Sequence, residues 1–387
     1  MTVGPEDQWR IDNARHVRVW RLQFQRYTRW SESWDHDHCA ACWATFAELD
    51  EPDVQHAGYA TREDYPKGAR YDWVCVKCFN DLREEMGWKA VIPPPAIEFA
   101  VSAKSPSDVD RLRAALAQLT ADSLFPAELD RESERTIVRG MQEADLDVIA
   151  DRLKHKQDIG IDADVTVPRV LYYETITHSA EADYAHKKVF ASGSGEFARV
   201  KIRFEPLPRG FGFEFESGIP VGSVPEACIP GVKKGLVDAL KVGAFSGHPV
   251  IDLKATLVDA AYHDSDSSPR AFEMAARGAA EEGIRKGGPV LLEPVITVTV
   301  VVSLHDDLGA VLDDLAKRGA KITERSAHRG ADVIKAKVAL ASMLGYSRSL
   351  ISLSEGRAAC DVEFSHYAPA ILPGNDPRFR PAMGMHP

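Results

Sequence analysis

The sequence contains no long hydrophobic run. Nowhere does an apolar stretch approach the roughly 18 residues that a membrane-spanning helix needs, and the opening MTVGPEDQWR has no basic segment followed by an apolar one. Together these absences predict a soluble, cytoplasmic chain with no membrane partner. The dipeptide Gly-Lys is missing altogether, so the phosphate-cradling loop G-x-x-x-x-G-K-[ST] cannot form. Asparagine is scarce, and Asn13, Asn80 and Asn375 are none of them followed by Lys, which removes a guanine-reading Asn-Lys-x-Asp. No GTP is expected to bind, no catalytic residue emerges, and the chain reads as a non-enzyme. Surplus positive charge is absent too. With 47 basic against 58 acidic residues the net charge is -11, which argues against general polyanion binding through counterion release. Any nucleic-acid contact is expected to be local and directed by shape.

What is present suffices for several cores: 387 residues, 44% of them hydrophobic, predict two to three domains. All seven tryptophans (Trp9, Trp20, Trp30, Trp34, Trp43, Trp73, Trp88) and four of the six cysteines lie in the first quarter. That skew marks a separate module, residues 1–90, closed by the stiff run Val91-Ile92-Pro93-Pro94-Pro95 in a linker over 91–96. From there, strand patterns at 97–103, 122–129, 134–139 and 164–167 alternate with helical ones at 107–119 and 143–154. They form a strand-helix-strand-strand-helix-strand unit over 97–167. Residues 288–368 repeat the order, with strands at 291–302, 321–326, 333–338 and 361–367 and helices at 306–317 and 341–345. A middle segment, 168–287, lies between the two units. The Pro-rich tail 369–387 reads as frayed.

Cys39-x2-Cys42 and Cys75-x2-Cys78 are two short knuckles, and in a cytoplasmic chain four thiols so spaced predict one tetrahedral zinc site. Disulfides are disfavoured by a reducing compartment, and neither pair has the strand-helix setting of a redox CxxC. The second pair runs into the helical pattern 79–86, resembling a treble-clef knuckle at a helix start. His36 and His38 stand close enough to replace a cysteine and read as surface residues; Cys228 and Cys360 read as small core residues. Val17, Trp20, Phe24 and Tyr27, spaced by three and four, predict an amphipathic helix with Arg18, Arg21 and Arg29 off its apolar face. Packing on the cysteine module with a solvated basic face is the favoured reading. Arginines laid on RNA phosphates are the alternative.

The middle segment carries the most specific motifs. Pro168-Arg169-Val170-Leu171-Tyr172-Tyr173-Glu174 is followed by Ser192-Gly193-Ser194-Gly195-Glu196-Phe197, Gly222-Ser223-Val224-Pro225, Ile229-Pro230-Gly231-Val232-Lys233-Lys234-Gly235, Gly247-His248-Pro249-Val250-Ile251-Asp252 and Tyr262-His263-Asp264-Ser265-Asp266-Ser267-Ser268. In order and spacing this resembles the fourth domain of translation elongation factor G, the ribosomal translocase. Gly140-Met141-Gln142-Glu143 resembles that family's third domain. Leu291-Leu292-Glu293-Pro294, Met343-Leu344-Gly345-Tyr346 and Glu363-Phe364-Ser365-His366-Tyr367 resemble its fifth. The resemblance covers roughly residues 92–370. The cysteine module stands where the family has its GTP-binding and barrel domains.

The resemblance implies an α+β protein: two ferredoxin-like split βαβ domains flanking a ribosomal-protein-like βαβ arm, with the zinc-binding module in front. It also implies that the glycine-rich loop and the Tyr-His-Asp loop meet at the arm's far end, where the family touches the codon–anticodon helix. The RNA-binding tip would then be Ser192, Gly193, Ser194, Gly195, Glu196, His263, Asp264 and Ser267. Small residues let backbone amides approach phosphates, while His263 and Ser267 or Ser268 can bond 2′-hydroxyls in the shallow A-form minor groove. Lys187, Lys188, Arg199, Lys201 and Arg203 add a basic stretch. Glu196 takes the place of a usual glutamine, and Ile351 that of an arginine. The expected partner is the ribosome, through rRNA and the codon–anticodon region, bound by a factor that regulates, protects or decoys without a GTPase of its own. Two other readings stand beside it: a protein-interaction adaptor built on the zinc module, and the rear half of a translocase served by a separate GTPase.

Overall fold

The computed structural model describes residues 7–31, 33–48, 53–91, 93–120, 125, 127–130, 134–154, 161–189, 195–220, 222–303, 308–328 and 330–370. The chain forms two compact units, Met1–Pro93 with Gly210–Gly212, and Pro94–Arg209 with Phe213–Pro387. Among the described residues no helix is long and apolar enough to cross a membrane.

The first unit has a four-stranded sheet in the order Trp73–Val74, Ala57–Ala60, Arg21–Arg26, Lys89–Val91, beside a hairpin of His36–His38 and Thr45–Ala47. The eleven-residue helix Val76–Met86 buries Cys78, Phe79, Leu82 and Met86, the one-sided spacing that a helix facing a core requires. Gly87 ends it at φ 64°, a left-handed conformation costly for a residue with a Cβ.

The helix predicted from Val17 to Tyr27 is not there. A 3-10 turn, Ala14–Val17, gives way to the strand Arg21–Arg26. That strand pairs antiparallel with Ala57–Ala60 and parallel with Lys89–Val91. Leu22 is buried and Phe24 packs on the same core, alternating with Arg21, Gln23 and Gln25, the period of two that a half-buried strand demands. The arginines are engaged within the unit: Arg18 donates to the Glu85 carbonyl at 3.2 Å, and the Arg29 guanidinium lies 3.3 Å from the Glu48 carboxylate.

In the second unit, the strands Ile97–Ala103, Glu128–Asp130, Arg135–Gly140 and Ala163–Val165 stand fourth-first-third-second in their sheet. The helices Val109–Leu119 and Glu143–Lys154 complete a ferredoxin-like domain. Pro289–Val302, Lys321–His328, Ala331–Ala339 and Ala358–Pro369 repeat that order with the helices Leu308–Lys317 and Tyr346–Leu353. The helix expected at 341–345 is only a 3-10 turn, Leu340–Ser342, and the true helix starts after Gly345. Gly345, at φ 70°, caps the N-terminus, so a residue that usually ends helices begins one here. The two ferredoxin-like domains share one continuous core, from Phe99, Leu112 and Leu116 to Ile296, Val298 and Leu350. Glu143 accepts from the Gly345 N–H at 2.9 Å, and the hydroxyls of Tyr173 and Tyr367 both donate to the Pro95 carbonyl.

The arm between them is a sheet in the order Ala180–Val189, Gly195–Pro206, Leu253–Ala261, Phe213–Ser217, covered on one face by the helices Cys228–Val242 and Pro269–Lys286. Glycines set the helix spacing. A Cβ at Gly231 would come within 2.3 Å of the Pro269 carbonyl oxygen, and one at Gly235 within 2.2 Å of that of Glu273. Glu174 is fully buried where the chain enters the arm; its carboxylate accepts from the N–H groups of Ala244, Phe245, Ser246 and His248 and from the Ser246 hydroxyl. A buried carboxylate is tolerable only when its lone pairs are so occupied. Cys228 is buried in the arm core and Cys360 partly buried in the last sheet.

Candidate metal centre and candidate nucleic-acid interface

The first knuckle sits in the turn between the hairpin strands, and the second straddles the start of helix Val76–Met86. This brings the four Sγ atoms of Cys39, Cys42, Cys75 and Cys78 within 4.8 Å of one another, with Cys42 and Cys75 at 3.7 Å. A disulfide needs sulfurs about 2 Å apart; all four thiols are free. A tetrahedron with metal–sulfur bonds of about 2.3 Å has edges of about 3.8 Å, so the group has the dimensions to hold a metal ion. His36 and His38 are outside it, their rings 4.9 Å apart on the hairpin.

The surroundings of the sulfurs favour negative charge. The backbone N–H of Cys75 donates to Cys39 Sγ at 3.3 Å, that of Cys78 to Cys75 Sγ at 3.4 Å, and Arg10 to Cys78 Sγ at 3.0 Å. Hydrogen bonds from the Cys75 and Cys78 thiols hold Cys39 down to about 2, while the bond to Cys39 pushes Cys75 up to about 12 and Cys78 higher. With sulfurs this close, each proton lost works against repulsion from the negative charge already on a neighbour. A divalent cation at the centre cancels that repulsion.

At the arm's end, Gly195, Glu196, His263, Asp264 and Ser267 come from two neighbouring segments that the structure ties together. The Phe197 N–H donates to the Asp266 carbonyl at 2.8 Å, and the Ser267 hydroxyl donates to the Phe197 carbonyl at 2.6 Å while accepting from the His263 N–H. A Cβ on Gly195 would meet the Asp266 carboxylate at 3.0 Å, so a side chain there would have to push that carboxylate aside. Ser192, Gly193 and Ser194 fall outside the described residues. His263 and Asp264 are exposed, with Ser265 bonded to the His263 ring at 3.1 Å. The Ser267 hydroxyl is a brace within the protein, and Ser268 caps helix Pro269–Lys286 through the Ala271 N–H.

The basic stretch looks different in three dimensions. Arg199, Lys201 and Arg203 alternate along one strand and so share its outer face. Arg199 forms ion pairs with Asp183 and with Asp259 at 3.0 Å, Lys201 with Glu181 at 3.1 Å, and Arg203 with Glu181 at 2.9 Å. This face is a charge-paired ladder with no free positive stripe at these three positions. Lys187 and Lys188 are exposed nearer the tip. Cross-strand partners cannot be read without the register, so sequence reasoning finds the cations and misses their acids. It also misses Arg10, a buried cation with no periodicity to announce it.

The family models described as Elongation Factor G, domain III, as Elongation factor G, domain IV, and as Elongation factor G C-terminus match residues 92–165, 168–288 and 290–373. The chain is 45% identical over 280 residues to elongation factor G of Orientia tsutsugamushi (strain Ikeda), covering 72% of this chain and 39% of the relative. It is 44% identical over 298 residues to that of Wolbachia pipientis subsp. Culex pipiens, covering 76% and 42%. A crystal structure of a protein from Thermus thermophilus superposes with a TM-score of 0.54 at 28% identity, covering 87% of this chain and 49% of that one. The chain belongs to the elongation factor G family through its third, fourth and C-terminal domains. It spans about two fifths of the length of those curated relatives.

Proposed function

We propose that the chain binds the ribosome at the decoding site through the arm, acting without a GTPase of its own as a regulator, protector or decoy, and that a structural zinc ion holds its first module. The observation that carries the ribosomal reading is the tip. The start of strand Gly195–Pro206 is braced through Phe197, Asp266 and Ser267 against the segment that carries His263 and Asp264 exposed. A braced segment presenting the exposed His263 ring suits a shallow A-form minor groove read by shape. With Arg199, Lys201 and Arg203 neutralised, affinity rests on that shape more than on charge, in keeping with the net charge of -11. The sulfur distances and the four-cysteine donor set suit zinc in a closed, structural site with no position left for substrate.

Co-sedimentation of the full chain with ribosomes, with and without GTP, tests this. Pelleting independent of nucleotide supports the proposal. Pelleting that requires GTP and a second protein supports a separate GTPase acting in trans. No pelleting supports the adaptor reading, which one observation favours: Trp30 and Trp43 of the first module are 73% and 63% exposed, and such surface aromatics serve protein interfaces well.

A further inference from the structure

Arg10 is a buried arginine, 6% exposed, whose guanidinium reaches Cys78 Sγ at 3.0 Å, Asp81 at 2.9 Å and Asp7 at 2.7 Å. Burying a cation is costly unless charge of opposite sign meets it inside the fold. Asp7 and Asp81 are both partly solvated, which leaves the sulfur cluster as the inner counter-charge. Four thiolates around a divalent ion carry two negative charges in excess, so cation and cluster offset one another. Three residues further on, Asn13 donates to the Ala41 carbonyl at 3.0 Å, inside the first knuckle. The short segment from Gln8 to Val17 therefore touches both knuckles, and Ile11, Ala14 and Val17 anchor it in the core.

We infer that Arg10 is a positioning residue of the metal centre: its N–H donor on Cys78 orients that thiolate, offsets the charge of the four-sulfur site and slows release of the metal. The inference rests on the metal reading above and adds what sets the strength of the site. A donor hydrogen bond withdraws electron density from the sulfur, making it a poorer nucleophile and a better-fixed ligand. Asp81 and Asp7 in turn hold the guanidinium in place.

The full chain reconstituted with Co2+ gives the test, read by thiolate-to-cobalt charge-transfer bands and by competition with a chelator. Arg10→Met is expected to weaken cobalt binding about 10- to 100-fold and to move the bands to lower energy, since Cys78 loses its donor. Arg10→Lys, which keeps the charge, is expected to fall between. Parent-like affinity in Arg10→Met overturns the inference. So do equal losses in both variants with the bands unmoved, which describe packing alone. If Arg10→Met does not fold, Arg10→Lys decides: shifted bands with reduced affinity sustain the inference, and parent-like values overturn it. A parent chain without a tetrahedral cobalt–thiolate spectrum overturns the metal reading itself, and this inference with it.

Discussion

The His186 Nε2 atom stands 3.3 Å from Glu196 Oε2, joining two strands near the tip on the side that the arm's helices cover. The carboxylate is therefore not the bare surface charge that its place in a glycine-rich loop suggests. Its side chain is 22% exposed and held toward the protein.

This geometry bears on ribosome binding. If the tip meets RNA as proposed, Glu196→Gln removes a negative charge that His186 only partly offsets and keeps an acceptor for that ring, so binding is expected to tighten. His263→Ala removes an exposed donor and is expected to loosen it, each by about 1 kcal/mol, the scale of one hydrogen bond. Thermal stability is expected to change little in His263→Ala. Ribosome pelleting titrations at fixed salt check both; if both variants bind as the parent does, the tip is not the contact surface.

The chain is expected to contain about one zinc ion. Chelation, or Cys78→Ser, is expected to unfold the first unit, seen as a change in fluorescence from the buried Trp73 and Trp88, and to spare the second. Acid is expected to release the metal. Thiols titrate near 8.5 when unperturbed and Cys75 is pushed up to about 12, so binding expels protons and weakens as pH falls. Elemental analysis and a pH series of metal retention decide the matter.

Gly231→Ala and Gly235→Ala thrust a methyl group onto the backbone of the neighbouring helix, at 2.3 and 2.2 Å. Because both obstacles are carbonyl oxygens and not flexible side-chain ends, the helices must part. Each change is expected to cost about 1–3 kcal/mol or more, measured as a lower denaturant midpoint of the second unit.

Burial holds the imidazole of His248 below its ordinary value, against a smaller lift from Glu174 and with a further lowering from Arg169. A histidine depressed in the fold contributes stability that is present above its unfolded value of about 6.5 and lost as pH falls through its folded value. Melting of the second unit is expected at lower temperature at pH 5.5 than at 7.5, with a smaller difference in His248→Gln. An unchanged difference would count against His248.

The sequence discloses these features unevenly, for physical reasons. Cys39, Cys42, Cys75 and Cys78 are legible because a knuckle needs only local spacing. The sheet of the first unit is not: Trp20, Phe24 and Tyr27 fit a helical spacing as well as they fit a strand, and the strands that pair with Arg21–Arg26 lie more than thirty residues away. The helix Tyr346–Leu353 lies beyond its expected place because Gly345 has the character of a helix end. The ion pairs of Arg199, Lys201 and Arg203 depend on register across three strands, which no local pattern encodes.

The chain enters and leaves the arm along one narrow ladder: Tyr173–Ile176 pairs with Pro289–Leu292, and Thr177 bonds the carbonyls of Gly287 and Gly288. On its other side Glu174 bridges to Val250, its N–H donating to the Pro249 carbonyl and its own carbonyl accepting from the Ile251 N–H, so the neck is three segments wide at that point. The base beneath it is a single shared core, so the arm is held at its root by backbone pairing on both sides of Glu174. The strand Gly195–Pro206 alone has twelve residues, a span of about 40 Å at about 3.3 Å per residue. For a lever that long, a tilt of one degree at the root is about 0.7 Å at the far end, which makes the bonds around Glu174 the ones that set where the tip stands.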